Sequence, residues 1–214
     1  MHKSIKLAGL PILAAAILSQ GLMTAGTAAA APGKQCSVPR AVAVGDTVVV
    51  SQAIEGGLHW DTAGNVLNLA RQGSGKEIQL VASTNPGGPS SPVGSCLRSG
   101  SYIRFASTKH AEPNRYLIAY KAVNPVNVPI GNYPDPQIDS IFYVIKVAGV
   151  PTNSAGPEIL RGDVINIRGV SHDPWLSYPA NAANGSAVLL ADDNQVNASP
   201  WVFGHFGSDN DGAD

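Results

Sequence analysis

Three times the chain runs through nearly the same phrase: Gly45-Asp46-Thr47-Val48-Val49-Val50, Gly100-Ser101-Tyr102-Ile103-Arg104-Phe105 and Gly162-Asp163-Val164-Ile165-Asn166-Ile167. Each copy opens with glycine and a small polar residue and continues as a strand of alternating apolar residues. The copies begin 55 and 62 residues apart (100 − 45 and 162 − 100). A period of this size is typical of a chain built from repeated supersecondary units.

Further short apolar segments follow each opening strand in the same order. An anchor leucine comes first, then a third apolar segment after a turn, then a closing strand. The anchors are Leu58, Leu117 and Leu176; the third segments are residues 66–69, 126–128 and 188–190; the closing strands are residues 78–81, 141–145 and 201–203. The chain after residue 31 shows no apolar stripe with the 3.6-residue period of a helix, so we interpret these segments as strands. Four strands in each of three repeats predict twelve strands. The anchor leucines are predicted to share one core with Val48, Ile103 and Ile165.

The first 31 residues have the pattern of a secretory signal peptide. Lys3 and Lys6 precede a mostly apolar stretch from 7 to 23, and small residues from 25 to 31 suit cleavage near Ala31. An uncleaved anchor is the alternative, but Ser19, Gln20 and Gly21 interrupt the apolar run. We therefore predict a single domain over residues 32–207 and a solvated acidic tail over 208–214.

Charge and cysteine content narrow the function classes. The chain has 14 basic and 15 acidic side chains, and without the two leader lysines 12 − 15 gives a net charge of −3. A weakly acidic chain without a basic run is a poor partner for nucleic acid or anionic membranes. Two cysteines behind a secretory leader predict one disulfide between Cys36 and Cys96, with two buried thiols as the alternative.

The three openings, the three anchors and the closing strands resemble the β-trefoil superfamily over residues 45–206. The resemblance implies an all-β fold with pseudo-threefold symmetry, in which the first and fourth strands of each repeat form a six-stranded barrel and the middle hairpins cap it. A β-sandwich is the competing architecture. The chain lacks the Gln-x-Trp triplet of ricin-type trefoil lectins, so it resembles more closely the divergent, fascin-like branch. Trp201 is expected in the core.

Signatures of catalysis and metal binding are missing from the sequence. There is no Gly-x-Ser-x-Gly, no His-Glu-x-x-His and no P-loop. The histidines after the leader have no close ligand spacing; they are His59, His110, His172 and His205. The acidic tail has no terminal bidentate glutamate for calcium. We expect neither a metal nor a cofactor, and a monomer.

One repeat has the composition of a binding site. His110 and His172 both lie ten residues after their opening glycine, where repeat one has Glu55. Tyr116 and Trp175 directly precede their anchor leucines, where repeat one has Gly57, and alternation predicts that these aromatic rings face solvent. An exposed ring can stack on sugar C–H groups while polar neighbours bind hydroxyls. Repeat three has the fullest set, and its predicted site is His172, Asp173, Trp175, Tyr178, Asn181 and Asn184. Plugging of the barrel rim by the rings is the alternative.

These observations favour a secreted, non-catalytic binding module for carbohydrate or an extracellular protein partner. In that hypothesis Trp175→Ala abolishes binding and barely changes the melting temperature. A protease inhibitor of the Kunitz soybean type is the second hypothesis, with residues 129–136 as its reactive loop. An enzyme using His172 and Asp173 as an acid–base pair is the third.

Overall fold

The computed structural model describes residues 36–54, 56–62, 65–71, 78–82, 92–108, 115–119, 126–132, 138–147, 156–191 and 198–204. By its internal contacts the chain divides after Ala30, and all of these residues belong to the second unit, Ala31–Asp214. The predicted leader and acidic tail lie outside the described residues. Within those residues, no helix is long and apolar enough to cross a membrane.

Short strands make up almost all the regular structure of the described ranges. They are β1 (Thr47–Val48), β2 (Val50–Gln52), β3 (His59–Asp61), β4 (Asn68–Ala70), β5 (Ile78–Ala82), β6 (Ser101–Ser107), β7 (Arg115–Leu117), β8 (Val126–Asn127), β9 (Ile130–Asn132), β10 (Phe142–Lys146), β11 (Ile165–Gly169), β12 (Trp175–Ser177), β13 (Leu189–Ala191) and β14 (Trp201–Phe203). A 3-10 turn, Ile138–Ser140, precedes β10. β1 and β2 are one opening strand interrupted at Val49. In repeat two, β8 lies within the predicted third segment, residues 126–128, but the strand that pairs with β7 is β9, which was not predicted.

Six strand pairings close a barrel. Each closing strand pairs antiparallel with the next opening strand, as β5 with β6, β10 with β11 and β14 with β2. Each opening strand also pairs antiparallel with the closing strand of its own repeat, as β1 with β5, β6 with β10 and β11 with β14. This ring is the barrel of a β-trefoil, as the resemblance implies, and not the two stacked sheets of a sandwich.

Two closed rings of backbone hydrogen bonds connect the three repeats, and each ring contains three bonds. In one set the amide of Val42 donates to Ile159, that of Ile159 to Leu97 and that of Leu97 to Val42, over 2.8–2.9 Å. In the other, Leu67, Val128 and Val188 donate around a ring in the same way, over 2.9–3.0 Å. All six residues have no exposed surface. Each ring takes one residue from each repeat, which satisfies buried amides where the repeats meet.

The recurring phrase is a turn that starts each opening strand. Gly45, Gly100 and Gly162 have φ values of +98°, +85° and +83°, a backbone region that glycine enters without penalty. The polar residue that follows each glycine folds its side chain back on the chain. Asp46, Ser101 and Asp163 accept a hydrogen bond at 2.9 Å from the amides of Ala43, Arg98 and Leu160 respectively.

One apolar core fills the barrel. Val48, Ile103, Ile165, Leu117 and Leu176 all belong to it, as predicted, and each is at most 1% exposed. Leu58 is only partly buried and packs against the edge of the core. Its predicted place is taken by Trp60, which is fully buried and pairs with Leu69 across the β3–β4 hairpin, as Leu176 pairs with Leu190. The repeat-one anchor prediction was therefore wrong by two residues.

A disulfide between Cys36 and Cys96 is present, as predicted. It ties the segment before repeat one to the segment that leads into repeat two. Ala41, Ala43 and Leu160 pack around it as a small separate cluster. The cross-link therefore joins two of the three segments that meet at this end of the barrel.

Candidate functional site

One position is equivalent in the three repeats and is occupied by His59, Tyr116 and Trp175. Each is paired across the barrel–hairpin junction with the residue six places after the opening glycine, namely Ser51, Ala106 and Arg168. Each also lies opposite a small residue in its hairpin, namely Ala70, Gly131 and Ala191. Space for a large ring therefore exists at all three positions.

The predicted exposure of the two aromatic rings is wrong. Trp175 is 3% exposed and Tyr116 is 8% exposed. Arginine side chains from the barrel cover both rings: the Cζ atom of Arg104 lies 3.4 Å from the Tyr116 ring centroid, and that of Arg168 lies 5.2 Å from the Trp175 ring. A guanidinium over an aromatic face is a stabilising contact. The face that a sugar would need is therefore already occupied.

The Trp175 ring ends a line of side chains that we call the aromatic row: Tyr102, Tyr143, Arg168 and Trp175. Tyr102 pairs with Tyr143, Tyr143 with Arg168 and Arg168 with Trp175 in adjacent strands. Their strand neighbours point into the core, so the row lies on the outer face of the barrel. The two tyrosine rings are half-buried, with centroids 5.5 Å apart and planes tilted by 54°.

Arg168 connects the row to the loop between β11 and β12. Its Nη1 donates to the Tyr143 hydroxyl at 2.7 Å, and its Nε donates to the Asp173 carbonyl oxygen at 3.2 Å. Its Nη2 lies 3.0 Å from Asp173 Oδ2, with the Arg168 and Asp173 side chains 23% and 51% exposed. The guanidinium therefore fixes the position of a carboxylate that remains half open to solvent.

The loop held in this way has an unusual backbone. His172 and Asp173 have φ values of +58° and +56°, so two consecutive residues other than glycine lie in the left-handed region. That conformation costs roughly 1–2 kcal/mol per residue for most side chains, and somewhat less for aspartate and histidine. His172 is exposed. Local strain of this kind is concentrated at functional sites, and here it lies at an exposed imidazole and a half-exposed carboxylate.

Two further predicted site residues, Asn181 and Asn184, lie at the tip of the β12–β13 hairpin. Trp175 pairs with Ala191 and Ser177 with Leu189, so the hairpin extends away from the Asp173 end before it turns. Asn181 and Asn184 are exposed in that turn, and Asn184 Oδ1 accepts a hydrogen bond at 3.0 Å from the amide of Arg71. The structure thus brings His172, Asp173 and Trp175 together but separates them from the two asparagines.

Tyr178 belongs to the packing of the cap. Its ring meets Trp201 edge-on at 4.9 Å, and its hydroxyl donates to the Pro200 carbonyl at 3.3 Å. Burial raises the pKa of the Tyr178 hydroxyl, so the phenol stays neutral over a wider pH range. Trp201 is fully buried, as predicted. Tyr178 therefore supports the hairpin from inside.

Of the other histidines after the leader, only His59 lies in the described ranges. His59 is 2% exposed, and its Nδ1 lies 2.8 Å from Ser51 Oγ, which donates to the Gly204 carbonyl. His110, His205 and Glu55 lie outside the described residues. Among the residues described, no group of three or more His, Cys, Asp or Glu side chains is placed to hold a metal ion.

The predicted inhibitor loop is only partly a loop. Ile130–Asn132 forms β9 and pairs with β7, and Ile130 is 4% exposed. A reactive loop needs free backbone groups for its protease, and these residues have already paired theirs. Residues 133–136 lie outside the described residues.

Sequence reasoning missed Arg168, Tyr143 and Tyr102. A signal for them exists in the phrase itself, because Arg168 stands six residues after Gly162, at the place that pairs with the ring-bearing position. Tyr102 and Tyr143 are brought beside Arg168 by the pairing register of β6, β10 and β11. These strands belong to two repeats, so the residue spacing within one repeat does not reveal their register.

Comparison with known proteins supports the fold. No family model matches the chain, and no curated protein sequence matches it. Among solved structures, a Caenorhabditis elegans protein of unknown function aligns with a TM-score of 0.51 and 15% identity, over 78% of this chain and 98% of that one. The chain thus spans nearly the whole of that protein.

Two larger proteins contain a similar domain. The S. cerevisiae protein O-mannosyltransferase Pmt1–Pmt2 complex bound to the sugar donor aligns with a TM-score of 0.54 and 13% identity, over 79% of this chain and 26% of that one. The binding domain of botulinum neurotoxin serotype D aligns with a TM-score of 0.52 and 10% identity, over 77% of this chain and 42% of that one. At these identities the likeness shows a shared β-trefoil-type fold.

Proposed function

We propose that this chain is a secreted, non-catalytic binding module that recognises carbohydrate on a cell surface or an extracellular partner. Its proposed contact point is the β11–β12 loop, with His172 and Asp173 as ligand-binding residues. The observation that carries the proposal is the strained backbone of this loop, which Arg168 holds through a hydrogen bond and an ion pair to Asp173. A half-exposed carboxylate with a fixed position can accept hydrogen bonds from two neighbouring sugar hydroxyls without further ordering.

The proposed role of Trp175 is to support the site and not to contact the ligand. Its buried ring holds Arg168, and Arg168 holds the Asp173 carboxylate, so Trp175 acts through other residues. The proposed roles of Asn181 and Asn184 become secondary, since they lie at the other end of the hairpin. Similar domains occur in a toxin binding domain and in a complex bound to a sugar donor, which is compatible with a binding task for the fold.

An array of neutral, sulfated and uronic-acid glycans tests this function. We expect the oxidised protein, expressed from residue 32, to bind a subset of the glycans, and Asp173→Ala to weaken that binding at least tenfold. The Asp173–Arg168 ion pair is partly exposed, so its loss should lower the free energy of unfolding by at most about 1 kcal/mol. Asn181→Ala is the matched control and should bind like wild type. A folded wild-type protein that binds nothing on the array would remove the carbohydrate proposal.

The proposal also includes export and loss of residues 1–31. The disulfide between Cys36 and Cys96 is compatible with an oxidising compartment. N-terminal sequencing of the exported protein should begin near Pro32. A chain recovered from the medium with Met1 intact would contradict cleavage.

A further inference from the structure

The positions of the aromatic row have equivalents in the other repeats, but the residues at those equivalent positions differ. At the places of Tyr102 and Tyr143, the first repeat has Thr47 and Gln79, which pair with each other and are both exposed. At the place of Tyr143 the third repeat has Val202, which pairs with Ser51 and is fully buried. Only one of these equivalent faces therefore presents two half-exposed aromatic rings.

We propose that Tyr102, Tyr143, Arg168 and Asp173 form an elongated binding strip for a neutral oligosaccharide. This inference rests on the proposed function and extends the contact point at Asp173 across the outer face of the barrel. The strip crosses strands β6, β10 and β11 in one register and ends at the β11–β12 loop.

The two tyrosines provide the apolar part of the strip. Their rings are adjacent and half-buried, so each offers part of its surface to a ligand while the remainder packs against the barrel. Within the described part of the chain the Tyr102 hydroxyl has no hydrogen-bond partner, whereas the Tyr143 hydroxyl accepts from Arg168. Sugar rings present C–H groups on one face and hydroxyls at the edge, a combination that matches an aromatic face beside phenol groups.

The charges of the strip favour a neutral glycan. The Arg168 guanidinium lies 3.0 Å from Asp173 Oδ2, so one positive and one negative charge cancel within the strip. A sulfated or carboxylated sugar would find no net attraction and would approach the half-exposed Asp173 carboxylate. The guanidinium donates hydrogen bonds to the Tyr143 hydroxyl and the Asp173 carbonyl oxygen, and it forms an ion pair with the Asp173 carboxylate. The second oxygen of Asp173 has no partner among the described residues and can accept from a sugar hydroxyl.

The dimensions favour more than one sugar unit. Neighbouring strands lie about 4.8 Å apart, so the distance from Tyr102 to Arg168 across two strand gaps is about 10 Å. Asp173 lengthens the strip beyond Arg168. A single pyranose covers only part of this length, so affinity should increase with the number of sugar units until the strip is filled.

A length series on the same protein tests the strip. The probes are neutral linear oligosaccharides from one to six units, with uronic-acid oligosaccharides of equal length beside them, measured with the oxidised chain from residue 32. We expect neutral chains to bind better than uronic-acid chains, and a rise in affinity beyond the monosaccharide. The variant is Tyr102→Thr, which introduces the residue that Thr47 provides at the equivalent place. It should weaken binding of the longer chains about three- to tenfold, weaken monosaccharide binding less, and keep the wild-type melting temperature within a few degrees.

Matched controls separate this inference from the proposed function. Tyr102→Phe keeps the ring and should retain most of the affinity. Thr47→Ala and Gln79→Ala alter the equivalent face and should change nothing. If Tyr102→Thr binds every chain length as wild type does, or if uronic-acid chains bind best, the strip is wrong while the contact at Asp173 stands. If no glycan binds to the folded wild type, both proposals fall.

Discussion

His172 and Asp173 both lie in the left-handed backbone region, which costs stability at residues other than glycine. Glycine enters their left-handed backbone region freely, yet the chain has an imidazole and a carboxylate there. The sequence shows a histidine followed by an aspartate in this loop, and these residue types led to the prediction of a binding site in repeat three. The backbone strain and the contacts of Arg168 could not be predicted from the sequence, because both depend on backbone and side-chain dihedral angles that the spacing of residues does not specify.

Replacing His172 by glycine tests that trade-off. The change relieves the left-handed strain but adds backbone entropy to the unfolded chain, so we expect the free energy of unfolding to stay the same or to rise by up to about 1 kcal/mol. Glycan binding should fall because the imidazole is gone. Urea unfolding followed by tryptophan fluorescence gives the stability. A loss of more than about 1 kcal/mol would mean that His172 supports the fold.

Trp175→Ala should behave in the opposite way from a surface aromatic. The ring is 3% exposed and lies beneath Arg168, so its removal leaves a cavity and should lower the free energy of unfolding by roughly 3–5 kcal/mol. Thermal unfolding measures this directly. An unchanged melting temperature would restore the first interpretation of Trp175 as an exposed stacking platform.

The start of each opening strand is the element that the sequence predicts best. Its glycine and polar residue are adjacent, so a local pattern contains nearly all of its chemistry. The second strand of repeat one was predicted less well, because the loop before it differs in length between repeats. Leu58 therefore resembles the other anchors in sequence, whereas Trp60 occupies the equivalent place in the strand register.

The three turns should differ in strength. Asp163 is fully buried, accepts from the Leu160 amide and lies 3.0 Å from the Lys146 ammonium, whose side chain is 12% exposed. Asp163→Ala leaves that ammonium without its carboxylate and should lower the free energy of unfolding by roughly 3–5 kcal/mol. Ser101→Ala removes only a hydrogen bond to an exposed amide and should lower it by about 1 kcal/mol. Equal losses in urea unfolding would show that the ion pair adds nothing.

At the scale of the whole molecule, the repeat period and the apolar segments predicted three equivalent units, and the β-trefoil resemblance that they carry implied the barrel. The reason is that both hydrogen-bonded rings, and every closing-to-opening strand pair, join equivalent points of successive repeats. The aromatic row could not be predicted in the same way, since it breaks the equivalence: one face has tyrosines where another has threonine and glutamine.

The disulfide should contribute to the stability of the whole barrel. It closes a separation of 60 residues, and in the chain-entropy model its removal costs about 4 kcal/mol. We expect the double variant Cys36→Ser with Cys96→Ser to unfold at a correspondingly lower urea concentration. Alkylation of the native oxidised protein should find no free thiol, and two reactive thiols would contradict the bond.

The most direct test of the central claim is an NMR titration of the isotope-labelled chain with the neutral oligosaccharide that binds best on the array. We predict that chemical-shift changes concentrate on Tyr102, Tyr143, Arg168, His172 and Asp173. The equivalent face at Thr47 and Gln79 should stay unchanged. Changes centred instead on Asn181 and Asn184 at the hairpin tip, or on Thr47 and Gln79, would contradict the account.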